Sequence, residues 1–177
     1  MARQADPAKG EKFLHSAIEV FLEKGYRDAT IAEIAGRVGL AASNAYVYFE
    51  SKDDLLRAAV HRMMAEHSAR FDALSRECTS LDARTFVDRC FDELAAIRRR
   101  VLFIMSCVIT PATSGLFADF DFDYSGVFTP YLQSWPTGRA ARATRALMAL
   151  SDSFFLVGDA ESVKEAAVSV LENMRGA

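Results

Sequence analysis

Within 177 residues, one short stretch gathers several hydrogen-bonding side chains: Ser43, Asn44, Tyr46 and Tyr48, followed closely by Lys52. The chemistry they can do is recognition. A carboxamide such as Asn44 pairs in a bidentate way with adenine, hydroxyls meet base edges or phosphates, and an ammonium group neutralises a phosphate. Each residue also has a plainer use: Ser43 and Asn44 can simply be solvated, the tyrosines can pack, and Lys52 can be an ordinary surface lysine. Residues for acid–base or covalent work lack their partners. His15, His61 and His67 stand in no HExxH spacing, GxSxG and Walker A loops are missing, and Cys78, Cys90 and Cys107 have no adjacent base. The chain therefore reads as a non-enzyme, with no cofactor and no metal implied. Asp119, Asp121 and Asp123 alternate with Phe120 and Phe122 without a histidine, which suits a solvated loop, or a cationic or hydroxylated ligand, rather than a metal.

The positioning elements are written in TIAEIAGRVGLAASNAYVYF, Thr30 to Phe49. Thr30 can cap a helix while Glu33 reaches back to the Thr30 amide, the reciprocal spacing of a capping box. Ile31, Ile34, Ala35 and Val38 supply an inward stripe, Gly39 suits the left-handed residue that ends a helix, and Leu40 is expected in the core. A second helix from about Ala42 to Phe49 would turn Ala45 and Phe49 inward, leaving Ser43, Asn44, Tyr46 and Tyr48 outward. Two helices this short are marginal alone, so neighbours must hold them. The arrangement matches a helix-turn-helix, whose second helix enters the major groove. Thr30 and Arg37 on the first helix are weaker contact candidates, and the Thr30 hydroxyl has a competing use as the cap.

Around this pair the chain reads as helices throughout. Asp6 and Pro7 open a helix that runs to about Lys24 with Phe13, Ala17, Ile18, Phe21 and Leu22 on its apolar face; Gly25 stops it, and Tyr26 is expected against the helix pair. Ser51 and Asp54 repeat the capping-box spacing before a long stripe, Leu55 to Leu74, that makes the fourth helix a rigid connector. Ser80 or Asp82 opens the next segment, which fits one long helix or two across Arg98 to Arg100. Pro111 and Gly115 break the pattern, and the stretch to Ser125 is the least regular. A helix is expected from about Gly126 to Ser134, another capped by Thr137 and closed by Gly158, and a last one capped by Asp159. These final two carry Ala143, Leu147, Leu150 and Phe154, then Val163, Ala167, Val170 and Met174, at helical spacing. Small residues on the stripes allow close approach, either within one hairpin or also against a second copy.

Composition agrees with an all-α globular chain: 51% hydrophobic, 25% charged, with little β-branched alternation. The net charge of -3 makes any affinity for phosphates depend on where the cations sit rather than on their sum. Three cysteines without a CxxC pair suit reduced, buried thiols. The apolar run from Val101 to Ile109 is too short for a bilayer and the N-terminus lacks a signal h-region, so a soluble, cytoplasmic protein with no membrane partner is expected.

From Phe13 to Leu56 the order "helix, Gly-Tyr, Thr-x-x-x-Ile-Ala, Gly-Leu, Tyr-x-Tyr-Phe, Ser-Lys-x-x-Leu" resembles the TetR family of transcriptional repressors. The resemblance implies an all-α fold in which a three-helix helix-turn-helix DNA-binding domain, residues 1–50, is joined by a long helix to a C-terminal helical ligand-binding and dimerisation domain, 51–177. It implies a homodimer on double-stranded DNA with a palindromic operator, the last two helices forming a four-helix bundle with their copies. It also implies a small-molecule effector, apolar or amphipathic, whose pocket would be lined by Phe103, Met105, Phe117, Phe120, Phe128, Tyr131 and Trp135. For Lys52 it implies a place beside DNA. The chain departs from the family pattern at Ala41 and Ala42, where a polar cap and a longer polar side chain are usual; an alanine cap costs about 0.5 to 2 kcal/mol. A helical interaction module that keeps the helix-turn-helix only as a scaffold is the alternative, and the acidic net charge favours it.

Overall fold

The computed structural model describes residues 6–118 and 128–176, which form helices and no strand. The expected starts and stops appear in order. Helix α1 (Pro7–Asp28) opens on Asp6, whose carboxylate accepts the Ala8 amide at 3.0 Å. At Gly25 the backbone leaves the helix, with φ 78 and ψ 169, before one further turn to Asp28. Phe13, Ala17, Val20 and Phe21 are fully buried along its inner face. Helix α2 (Ile31–Arg37) opens on the Thr30 hydroxyl, which accepts the Glu33 amide at 3.2 Å. The reciprocal half of that box is not made, because Lys24 takes the Glu33 carboxylate at 2.6 Å.

The turn after α2 is a Schellman motif. Leu40 donates its amide to the Ala35 carbonyl at 2.9 Å and Gly39 to Gly36 at 3.1 Å, with Gly39 at φ 67. Leu40 itself is only half-buried, against the expectation of a core position. Helix α3 is also shorter than expected, Ala42–Ala45 instead of running to Phe49. Ala41 gives it no side-chain cap. From Asn44 onward the bonds are mostly of the tighter i→i−3 kind: Asn44 to Ala41, Val47 to Asn44 and Tyr48 to Ala45.

Helix α4 (Lys52–Glu77) begins with Asp54 donating its amide to the Ser51 hydroxyl at 3.0 Å, while the Asp54 carboxylate accepts the Glu50 amide at 3.1 Å. Helix α5 (Ala83–Ile109) settles the open question as one continuous helix, capped by Asp82 through the Thr85 amide at 3.0 Å. Helix α6 is the short piece Thr129–Leu132, within the span expected from 126 to 134; the start of that span lies outside the described residues. Helix α7 (Thr137–Val157) begins one residue earlier than a Thr137 cap would require, with Pro136 at the cap position. Its carbonyl accepts Arg139 and Ala140. Gly158, at φ 83, closes α7, and Asp159 accepts the Ser162 amide at 3.2 Å to open α8 (Ala160–Gly176).

The chain divides into two compact units, one made of the residues up to Ala65 with those from Leu102, the other of Glu66–Val101 with the C-terminal helices. In the first, the Ser16 hydroxyl donates to the Ile34 carbonyl at 3.1 Å, tying α2 to α1, and Phe103 stacks on Phe21 with centroids 6.1 Å apart. In the second, Phe86 stacks on Tyr131 at 3.9 Å and meets Phe128 edge-on, while Phe91 meets Phe154. Helices α7 and α8 form an antiparallel hairpin around Gly158. Among the described residues no helix is long and apolar enough to cross a membrane.

His67, on α4, is buried with its Nε2 unpartnered. Burial, joined by the charges of Arg100 and Arg70 against that of Glu66, pulls it down to about 4.

A β carbon on Gly36 or on Gly39 would meet nothing within 4 Å, so the two differ only in backbone, and only Gly39 is left-handed. Gly39→Ala is expected to cost about 1–2 kcal/mol and Gly36→Ala to gain up to about 1 kcal/mol, read from urea midpoints; equal shifts would contradict this. For His67, the unfolded chain takes up a proton near the ordinary value of 6.5 that the native state refuses until about 4. Stability therefore falls as pH drops between those values. In His67→Phe that part of the acid slope should vanish, and an unchanged slope would refute the assignment.

Candidate nucleic-acid interface

The hydrogen-bonding residues singled out by spacing fall on the α3 segment, which its neighbours seat from beneath. Ala45 is buried, and the Phe49 ring stacks on Phe13 of α1 at 5.8 Å. Burying such apolar side chains contributes roughly 1.5–3 kcal/mol for a full-sized one, enough to hold a segment that cannot hold itself. Ser43, Asn44 and Tyr46 are exposed, Tyr46 at 60%. Val47 beside them is 55% exposed and was not singled out from the sequence. Tyr48 is half-buried, its ring lying over Gly10 of α1: a β carbon at Gly10 would stand 3.0 Å from Tyr48 Cδ1. Glycine at that position is thus part of how the segment sits. No helical period marks it in the sequence.

The cations nearby are already engaged. Arg37 makes a two-pronged pair with Glu23 at 3.0 and 2.5 Å, and that pair raises its guanidinium value further. Lys52 is half-buried at the start of α4. Its ammonium donates to the Arg27 carbonyl at 3.2 Å and stands 4.5 Å above the Tyr26 ring. Burial pushes Lys52 below its usual range, with Asp28 and Asp53 acting in the opposite sense. Tyr26, expected against the helix pair, has its hydroxyl donating to Asp53 of α4 and its ring beside Phe21 of α1. Burial first, then that bond and the Asp53 charge, push the phenol up to about 12. Thr30, exposed, spends its oxygen as the α2 cap and keeps its proton to donate.

Residues 13–59, which hold α2, the turn, α3 and the start of α4, match the family described as bacterial regulatory proteins, tetR family. Over that stretch the chain carries a TetR-family helix-turn-helix. The relatives it matches are HTH-type transcriptional regulators, not enzymes. The HTH-type transcriptional regulator BetI of Stenotrophomonas maltophilia is 28% identical over 161 residues, covering 86% of this chain and 82% of BetI. Among solved structures, a transcriptional regulator from Aquifex aeolicus superposes with a TM-score of 0.67 at 17% identity over 93% of this chain and 98% of its own. The multidrug binding protein EbrR, complexed with imidazole, superposes with a TM-score of 0.62 at 19% identity over 96% and 93%. These two likenesses carry the fold, which is all-helical with an N-terminal helix-turn-helix.

The other expected site residues fall as follows. Phe103, Met105 and Phe117 lie in the N-terminal unit, where Phe103 is committed to the stack on Phe21, Phe117 is buried and Met105 is 37% exposed. Phe128 and Tyr131 pack on Phe86 in the C-terminal unit, and Trp135 is half-buried there. Phe120, with the aspartates at 119, 121 and 123, lies outside the described residues. Of the expected dimer residues, Ala143, Leu147, Phe154, Val163 and Ala167 are buried within the chain itself, while Leu150, Val170 and Met174 are half-buried.

Proposed function

We propose that this regulator is a repressor that holds a palindromic operator as a homodimer in the cytoplasm and lets go when a small apolar or amphipathic molecule binds. The observation that carries the reading is the exposed edge of Ser43, Asn44 and Tyr46 on a segment anchored by Ala45 and Phe49. In this account residues 1–50 read the duplex and 51–177 bind effector and partner. Ser43 and Asn44 meet base edges, Tyr46 and Tyr48 meet phosphates, and Thr30, Arg37 and Lys52 add backbone contacts. Arg37 and Lys52 must trade their present partners for phosphate oxygens to do so.

The effector reading is supported by the density of rings at Phe86, Phe128 and Tyr131 with Trp135 nearby, and by the printed description of EbrR as a multidrug binding protein. The dimer reading is supported by half-buried Leu150, Val170 and Met174 and by Leu156 and Val157, which stand 71% and 73% exposed at the end of α7. A two-fold pair would present two reading segments to half-sites one or more DNA turns apart. The ligand acts by linkage, weakening operator binding by no more than its differential affinity for the two states.

A gel shift with the DNA upstream of the protein's own gene tests this. Asn44→Ala should relax the preference for that fragment over a scrambled one by about 1–3 kcal/mol. Lys52→Ala should weaken both fragments alike and reduce the salt dependence by about one counterion. Failure to shift either fragment at low salt would leave the interaction-module reading in possession.

A further inference from the structure

The N-terminal unit holds a cleft of about 430 Å³ between the end of α1, the start of α4 and the end of α5. Its charged lining is cationic throughout: Lys24, Arg27 and Lys52, with no carboxylate. Of the acids around it, Glu33 faces Lys24 and Asp53 takes the Tyr26 hydroxyl, while Asp28 and Asp53 also act by charge on Lys52. Two helices end at this cleft, and bare carbonyls there would repel an anion. Some of them are taken up within the chain: the Ser106 carbonyl accepts the Thr110 amide at 3.1 Å, the Cys107 carbonyl accepts the Thr113 hydroxyl at 2.5 Å, and the Arg27 carbonyl accepts Lys52.

What remains available is a fork of donors above an apolar wall. No ion pair among the described residues engages Arg27, whose planar guanidinium matches a carboxylate, and Lys52 spends one of its three N–H groups on the Arg27 carbonyl. The same cleft is lined by the Tyr26 ring beneath the Lys52 ammonium and by Cys107 and Ala112, and it is open at Gly25, where a β carbon would meet nothing within 4 Å. We infer that this cleft binds a small organic carboxylate, with its oxygens on Arg27 and Lys52 and its apolar body against Tyr26 and Cys107. The assignment is independent of the effector reading, which concerns other residues.

Calorimetric titration of the full chain with sodium benzoate, against sodium chloride at equal ionic strength and without DNA, tests it. Saturable binding at one site per chain is expected. Arg27→Gln should weaken it at least about tenfold, as the loss of a charge-assisted pair implies. Ala112→Phe, which fills the cleft without touching a charge, should abolish it, and Arg139→Gln on α7 should leave it unchanged. Absence of saturable heat would overturn the assignment, as would Arg27→Gln and Ala112→Phe chains that keep native helical circular dichroism and still bind like the parent. Inorganic phosphate binding as tightly as benzoate would overturn it too, because the apolar wall would then contribute nothing.

Discussion

A helix of four residues, without a side-chain cap, has no stability of its own, and everything about the α3 segment depends on what lies beneath it. Three contacts set its place. The Schellman turn at Gly39 fixes the angle at which the chain leaves α2, Ala45 fills the space under α3, and the Phe13–Phe49 stack ties the far end to α1. Tyr48 over Gly10 adds a fourth hold on the same helix. With both ends pinned, Ser43, Asn44 and Tyr46 are presented on a surface whose geometry belongs to α1 and α2 rather than to α3. That is why a segment too short to be a good helix can still present side chains in a defined register.

The electrostatics follow a similar logic of prior engagement. The two cations proposed to meet phosphates are held by partners inside the protein, Arg37 by Glu23 and Lys52 by the Arg27 carbonyl and the Tyr26 ring. A duplex phosphate gains only the difference between its own attraction and theirs. In a chain of net charge -3, modest non-specific affinity is therefore expected on the proposed reading, with discrimination resting on Asn44 and Ser43. Phe103 matters in another way: through Phe21 it anchors the end of α5 to α1, so the residues from Leu102 are part of the N-terminal unit although they are far from it in sequence.

Most helix boundaries were legible because each rests on a local rule. Asp6, Thr30, Ser51, Asp82 and Asp159 all cap, Thr30 without the reciprocal half of its box, and Gly25, Gly39 and Gly158 all take a positive φ. What escaped the sequence was tertiary. The extent of α3 depends on a missing cap and on competing i→i−3 bonds; the partner of Tyr26 is Asp53, the second residue of a helix that periodicity cannot place in space. Thr137 failed as a cap because Pro136 already supplies the extended residue before the helix. Within the candidate interface, residue types were readable and their commitments were not: nothing in the spacing of Arg37 or Lys52 reveals the Glu23 carboxylate or the Arg27 carbonyl.

The central claim is that the Ser43–Tyr46 edge, held from beneath, is what meets DNA. Side-chain and backbone amide NMR spectra of the labelled protein, recorded with the duplex upstream of its own gene and with a scrambled duplex, test this most directly. The Asn44 carboxamide should shift strongly with the first and little with the second, while signals around Lys52 should move with both. Perturbations confined to α7 and α8, with residues 43–46 silent, would contradict the account.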